Sequence, residues 1–355
     1  MENDNINEAY TLPSTFYRSQ LNFTQLREGA FRNGWNYAGA LCADQEYNVA
    51  PVDILPGFIN EPLILTRDKN GLIRCLSNVC THRGNILIEE SGHRTLLKCR
   101  YHGRCFAIDG QFRSMPGFEG VKNFPAEKDD LTSLPVRSIG PMQFVQLAEG
   151  AGFEVQFGEM LDHMSWFNFS DLHLRPGVSR DYSIKAHWAL YVDNYLEGFH
   201  VPYVHPGLNE ALDVHQYRVE LFKNGVLQVG IADEEESDIF NLPAESKFFG
   251  ERIYAFYCWI YPNMMFNFYP WGISLNIIEP INLNNTKIRF LTFVHKDLGT
   301  PDVSGIHQTE LEDERIVESV QRGMQSSFYT KGRYSPKHET ALHHFHRMIK
   351  KQING

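Results

Sequence analysis

Two thiols and two imidazoles arrive as matched mixed pairs in this 355-residue chain: Cys80-Thr81-His82 and, sixteen residues later, Cys99-Arg100-Tyr101-His102. Each pair offers one anionic sulfur and one neutral nitrogen. A [2Fe-2S] cluster in which one iron keeps two Cys and the other takes two His needs that division, with the two loops approaching from opposite sides. The competing chemistry is a structural zinc ion, which accepts the same donors, but its usual spacing pairs Cys with Cys and His with His. Here Cys and His alternate, and a single residue separates the first pair, which favours the cluster. Gly84 and Gly103, just beyond the pairs, permit tight turns that aim amide N–H groups at cluster sulfurs.

The chain is long enough for two domains with sizeable cores. Its formal charge of -10 and the lack of a basic face argue against a nucleic-acid partner. No stretch approaches the roughly 20 apolar residues needed to cross a bilayer, so no membrane role is expected. The opening run Met1 to Glu8 is acidic and polar, unlike a secretory or mitochondrial address, and points to the cytoplasm. Cys42, Cys75, Cys105 and Cys258 are scattered without ligand spacing, mostly in apolar runs. They read as buried free thiols in a reducing compartment.

The cluster pairs must sit at the ends of short strands. From about 36 to 150 the pattern is a small all-β module: Leu63 to Arg67, Ile73 to Asn78 leading into the first pair, Leu96 to Cys99 into the second, and Phe106 to Ile108 before Asp109-Gly110. After about residue 150 longer strands and helical patterns begin. Strands are expected at Tyr217 to Leu221 and Val226 to Ile231, joined through Asn224-Gly225 as a hairpin, then at Tyr254 to Tyr261, Met264 to Phe268, Ile273 to Glu279 and Lys287 to His295. The fold class is α+β: an all-β domain over 36–150, then an antiparallel sheet crossed by long helices over 151–355, with residues 1–35 packing on the latter.

The second domain carries its own constellation, Asp193-Asn194-Tyr195-Leu196-Glu197-Gly198-Phe199-His200-Val201-Pro202-Tyr203-Val204-His205. His200 and His205, with one carboxylate from elsewhere, make the two-His, one-carboxylate face that holds Fe(II) and leaves positions open for O2. On an ideal helix, residues five apart lie roughly 140° apart around the axis. Pro202 is expected to kink or end the helix near Val201 and let His205 swing back. Glu197, one turn before His200, can accept from its other ring nitrogen. Taken alone, two His at this spacing are more often packing or surface residues.

Over nearly its whole length the chain resembles the α subunits of Rieske non-haem iron oxygenases. The resemblance rests on the cluster pairs, the Glu197-x-x-His200-x4-His205 block, and Glu312-Asp313-Glu314-Arg315-Ile316-Val317-Glu318, in that order. It implies an N-terminal Rieske domain, a C-terminal helix-grip catalytic domain and a head-to-tail homotrimer. It implies also that Asp313, five residues before Glu318, is the third iron ligand. Without it, an acidic solvated helix face would explain Asp313, and Glu310, Glu312 and Glu314 remain fallback ligands. In the respiratory relatives each cluster loop has a further Cys, and the two form a disulfide. Asn85 and Tyr101 stand at the corresponding positions, so the cluster resembles the low-potential type of oxygenases.

The resemblance further implies an acidic bridge between the cluster of one subunit and the iron of the next, linking His102 to His200, and Glu197 is the residue that resembles it. Most aromatic-ring dioxygenases have Asp there. Glu is more like the choline, glycine-betaine and carnitine monooxygenases, as is the closing run Glu339 to Met348. A quaternary ammonium needs an aromatic enclosure, for which Phe199, Tyr203, Phe266, Phe268, Tyr269 and Trp271 are candidates. The same rings suit an aromatic substrate, so an aromatic-ring-hydroxylating dioxygenase α subunit stays open as the alternative. The chain has no Gly-x-Gly-x-x-Gly fingerprint, so electrons from NADH or NADPH are expected through a separate flavin/iron-sulfur reductase. Two other classes remain: a Rieske electron carrier with an inert second domain, and a zinc-stabilised binding protein.

Overall fold

The structure is a computed structural model that describes residues 5–41 and 47–354. It divides into two compact units, one over Trp35–Gly150 and one joining the residues before Trp35 to those after Gly150. Cys42 lies outside the described residues; Cys75 and Cys258 are buried free thiols, and Cys105 is a half-buried one.

The smaller unit is built of three antiparallel sheets. A four-stranded one runs Val49–Ile54, Glu61–Arg67, Ile73–Ser77 and Ser133–Leu134, and a three-stranded one runs Leu96–Lys98, Cys105–Ala107 and Phe112–Ser114. The third sheet joins Trp35–Gly39, Met142–Gln146 and Val136–Ile139. Val49, Ile64, Leu76, Leu97, Phe106 and Leu131 form a core that also takes in Cys80 and Cys99, so the two cysteines are anchored by packing at the base of their loops.

The larger unit centres on an eight-stranded antiparallel sheet: β1 (Leu172–Leu174), β2 (Arg180–Ile184), β3 (Arg218–Phe222), β4 (Gly225–Ile231), β5 (Ile253–Ile260), β6 (Met264–Tyr269), β7 (Gly272–Asn282) and β8 (Asn285–His295). The order is β1-β8-β7-β6-β5-β4-β3, with β2 also pairing β8. The β3–β4 hairpin turns at Lys223-Asn224, one residue earlier than the Asn-Gly pair suggested, and Gly225 opposes Phe222 inside the ladder. A Cβ at Gly225 would meet the Trp259 carbonyl at 2.4 Å, so close strand approach, rather than turn geometry, requires glycine there. The helix Ser304–Gly323 turns Glu310, Val317 and Gln321 inward, and Thr340–Asn354 buries Ala341, Leu342, Phe345, His346 and Ile349. Against this last helix packs Gln20–Leu26 of the N-terminal segment.

Candidate metal centres and substrate cavity

The two cluster loops are the same loop used twice. The Cys80 N–H donates to the Asn85 carbonyl at 2.8 Å while the Gly84 N–H donates back to the Cys80 carbonyl at 3.0 Å. Cys99, Gly103 and Arg104 repeat the pattern at 2.8 and 3.1 Å. Gly84 and Gly103 adopt φ of 70° and 76°, the left-handed region that a side chain disfavours. The turns direct the amides of His82 and Arg83 at the Cys80 sulfur, and those of Tyr101 and His102 at the Cys99 sulfur. Burial alone raises both thiols. At Cys99 the amide donors, with Cys80 and the Asn85 side chain, outweigh it and bring the thiol below its ordinary range. The His82 and His102 rings lie 4.8 Å apart at the exposed end. Two buried sulfurs and two outward imidazoles on mirrored loops fit a Rieske cluster.

Asn85 and Tyr101, the residues that the resemblance sets against the loop cysteines of the respiratory relatives, each touch a cluster donor. Asn85 hydrogen-bonds Cys99 across the loops, and the Tyr101 ring lies on His102 with centroids 3.7 Å apart. A brace invisible in the sequence is Asp129. Its carbonyl accepts from Thr81 of the first loop at 2.8 Å, and its carboxylate accepts from Arg104 of the second at 2.8 Å. Arg104, 2% exposed, lies against the rings of Phe106, Phe112 and Phe124 at 5.0 to 5.6 Å.

In the larger unit His200, His205 and Asp313 bring one ligand atom each within 4.8 Å of one another. The local path differs from the expected helix that kinks or ends near Val201. The helix Trp188–Tyr195 ends before Glu197, and Pro202 stands in the first turn of a new short helix, Val201–Val204, where its missing N–H costs nothing. His205 sits at the break before a second short helix, Pro206–Ala211, with φ -120° and ψ 80°. Glu197 grips this break: one carboxylate oxygen accepts the His200 backbone N–H at 3.0 Å, the other pairs with His200 Nδ1 at 2.6 Å. That leaves His200 Nε2 facing Asp313 Oδ1 at 3.5 Å.

The helix Ser304–Gly323 supplies two adjacent acids to His205, Asp313 to Nε2 at 2.9 Å and Glu312 to Nδ1 at 2.8 Å. Asn194 Nδ2 donates to Asp313 Oδ1 at 2.6 Å and Gln308 Nε2 to Glu312 at 2.8 Å. Burial works to lower the His205 imidazole, but Asp313 and Glu312 raise it above its ordinary value. Both imidazole Nε2 atoms and one carboxylate oxygen converge, with each imidazole's Nδ1 paired to a separate acid. This donor set fits a facial Fe(II) site. Glu312 thus stands beside the His205 Nδ1, and Glu310 and Glu314 are not among the converging groups.

Beside these residues opens a cavity of about 310 Å³. Six tyrosines, 191, 195, 217, 254, 257 and 269, line it with Phe290, and the described lining residues include no lysine or arginine. Across the sheet Gln228, Tyr257 and Asn267 are direct partners on β4, β5 and β6. The Tyr195 hydroxyl donates to Asn267 Oδ1 at 2.7 Å.

Of the six aromatic residues expected around the substrate, the cavity contains only Tyr269. Strand alternation puts Phe266 and Phe268 on the other face of β6, against Phe157 and Phe167. Phe199 is 46% exposed and stacks on His338, Tyr203 is 82% exposed, and Trp271, in the turn after β6, stacks on the outside of Tyr269 at 5.0 Å. The residues missed are Tyr191, Tyr195, Tyr217, Tyr254, Tyr257 and Phe290. The i, i+3, i+4 spacing of Tyr191, Asn194 and Tyr195 and the odd-numbered parity of Asn267 and Tyr269 were the available signals.

Residues 170–355 match the family model of the ring-hydroxylating α subunit catalytic domain, and residues 42–125 match the Rieske [2Fe-2S] domain. The chain is 29% identical to the chloroplastic choline monooxygenase of Arabidopsis thaliana over 97% of its own length and 83% of that protein. It is 27% identical to the carnitine monooxygenase oxygenase subunit of Escherichia coli K12, covering 97% and 94% of the two chains. In fold it is similar to a quaternary ammonium Rieske monooxygenase, with a TM-score of 0.81, 24% identity and 98% and 96% coverage. The Rhodococcus naphthalene 1,2-dioxygenase shares the fold at a TM-score of 0.75, 16% identity and 97% and 94% coverage.

Proposed function

The chain belongs to the ring-hydroxylating oxygenase α subunits, the Rieske non-haem iron oxygenases, and from that premise we propose that it monooxygenates a quaternary amine, by hydroxylation or N-demethylation. The observation that carries this reading is the cavity beside His200, His205 and Asp313: seven aromatic rings and no lysine or arginine among its described lining. Ring faces attract a cation that has no hydrogen to donate. The relatives named for choline and carnitine agree with it.

When bound, a Rieske cluster on Cys80, His82, Cys99 and His102 supplies single electrons, and a ferrous ion on His200, His205 and Asp313 activates O2. The chain's own residues prepare for this. Glu197 fixes the His200 tautomer by accepting a hydrogen bond from Nδ1–H and so presents Nε2 to the metal. Glu312 does the same for His205, and Asn194 holds the Asp313 carboxylate in place. Glu197 is the proposed inter-subunit electron bridge, in a homotrimer whose neighbouring cluster presents His102. Electrons come from NAD(P)H through a partner flavin/iron-sulfur reductase, and the free thiols of Cys75, Cys105 and Cys258 agree with a cytoplasmic setting.

The test is a coupled assay with a surrogate reductase across quaternary amines and aromatic acids, scored by oxygen uptake and formaldehyde release. Iron and sulfide analysis should give about three irons and two sulfides per chain. Oxygen uptake driven by aromatic acids alone would overturn the quaternary-amine reading in favour of the dioxygenase.

A further inference from the structure

Four carboxylates line the cavity, and three are committed. Glu197 is bonded to His200, Glu312 to His205, and Asp313 to His205 and Asn194. The fourth, Glu310, stands three residues before Asp313, so it falls on the same face of the helix, one turn away. It is 3% exposed. Its Oε2 accepts from the Tyr191 hydroxyl at 2.5 Å, while Oε1 has no partner.

A buried carboxyl with a free oxygen costs stability unless a partner arrives, and the lining offers no cationic side chain to provide one. The second unpartnered acceptor in the lining is Gln228 Oε1, whose amide nitrogen is taken by the Tyr195 carbonyl. Resting on the proposed quaternary-amine reading, we infer that Glu310 is the substrate-binding residue that selects a positive charge, and that the cavity takes quaternary ammonium alcohols while rejecting those that carry a carboxylate. The cation lies among the tyrosine faces within reach of Glu310, and the substrate hydroxyl donates to a free acceptor such as Gln228. A carboxylate tail, by contrast, meets Glu310 in a lining with no lysine or arginine to pair it, the charges of Glu197, Glu312 and Asp313 being taken up at the two imidazoles and the ferrous ion they would hold. Burial holds the Glu310 carboxyl well above its ordinary range, so no charge is stranded in the empty cavity; an arriving cation opposes that shift, and the carboxyl releases its proton to solvent as the ammonium binds.

The experiment uses the full chain loaded with iron and sulfide. Calorimetric binding is compared for choline, for glycine betaine and for 3,3-dimethylbutan-1-ol, the uncharged shape mimic of choline. The wild type should bind choline at least about tenfold more tightly than either of the others. Glu310→Gln keeps the shape and the Tyr191 bond. It should bring choline and the neutral mimic to within about threefold of one another and raise the KM for choline with little change in kcat. Equal binding of choline and the neutral mimic by wild type, or a preference unchanged in E310Q, overturns the role of Glu310. Tighter binding of glycine betaine than of choline overturns the exclusion of carboxylates. The three wild-type titrations decide the matter even if the variant does not fold. Oxygen uptake driven by any quaternary amine would leave the broader functional reading intact while these binding results sank the selectivity.

Discussion

The two candidate metal sites are built on opposite plans. In the Trp35–Gly150 unit all four cluster donors come from two copies of one short loop, the sulfurs buried and the imidazoles turned outward. In the larger unit the three donors come from a helix break and from a helix more than 100 residues later, and His205 is wholly buried. Local backbone turns hold the first site; side-chain carboxylates hold the second. A centre that must pass electrons outward benefits from exposed ligands, whereas one that must keep open positions benefits from ligands pinned by outer-shell acids.

The largest effect that would break this contrast is expected from Asp313→Ala. Removing the one distant donor should empty the mononuclear site, drop iron from about three to about two per chain, and abolish turnover while the cluster absorption persists. Bleaching of the cluster would show that the two centres are not independently held. Next is Asp129→Ala, which leaves the Arg104 guanidinium buried among three phenyl rings with no counter-charge, while the backbone carbonyl that accepts from Thr81 stays in place. A cost of about 3 kcal/mol is expected, read as early loss of cluster absorption on heating, with the mononuclear iron retained. If the loops are as self-sufficient as their backbone pattern, the variant will melt like wild type.

The contrast explains what the sequence could reveal. Cluster loops are legible because ligand identity and turn glycine lie within five residues of one another, and nothing distant is needed to read them. The strands were legible for the same reason, since alternation is local: Lys287 to His295 and Met264 to Phe268 fall within the observed β8 and β6. Asp313 was not separable from its acidic neighbours by local pattern, because Glu310, Glu312, Asp313 and Glu314 are four helix positions with similar acids that differ only in which way they face. Resemblance pointed to it, and the fold is what brings it to His205. The cavity was the least legible part. Which face of β6 looks inward is decided by the sheet's partners, so Phe266 and Phe268, the more conspicuous rings, fell on the wrong side.

Glu197→Gln comes next in size. The amide can still accept the His200 backbone N–H but brings no negative charge to the imidazole. Both centres should stay loaded, and turnover with the reductase should fall by about 100-fold. Normal turnover would remove Glu197 from the electron path. Glu312→Gln is expected to be milder: His205 keeps Asp313 but loses the charge behind Nδ1, so iron affinity measured by chelator competition should weaken by about tenfold. An unchanged affinity would mean that the outer acids do not hold the second site in the way the contrast requires.

The smallest effect separates the two units by acid. His187, whose Nδ1 caps the helix Trp188–Tyr195 by accepting the Ala189 N–H at 3.2 Å, is buried among the rings of Phe16, Tyr17 and Phe23. That burial pushes its imidazole down to about 3. Above the ordinary value of about 6.5 the ring is neutral whether the chain is folded or not, and its titration contributes nothing. Below it the unfolded chain takes up a proton that the folded chain refuses, so stability falls by roughly 1.4 kcal/mol for each pH unit down to about 3, where the loss levels off. His187→Asn keeps a capping oxygen but no titrating ring. Unfolding between pH 6.5 and 4, followed through the fluorescence of the neighbouring Trp188, should therefore show a shallower pH slope in the variant, whatever its absolute stability. The cluster absorption, which reports on the other unit, should follow the same course in both proteins. Equal slopes for Trp188 would mean that the ring is reached by water and proton before the helix it caps unfolds.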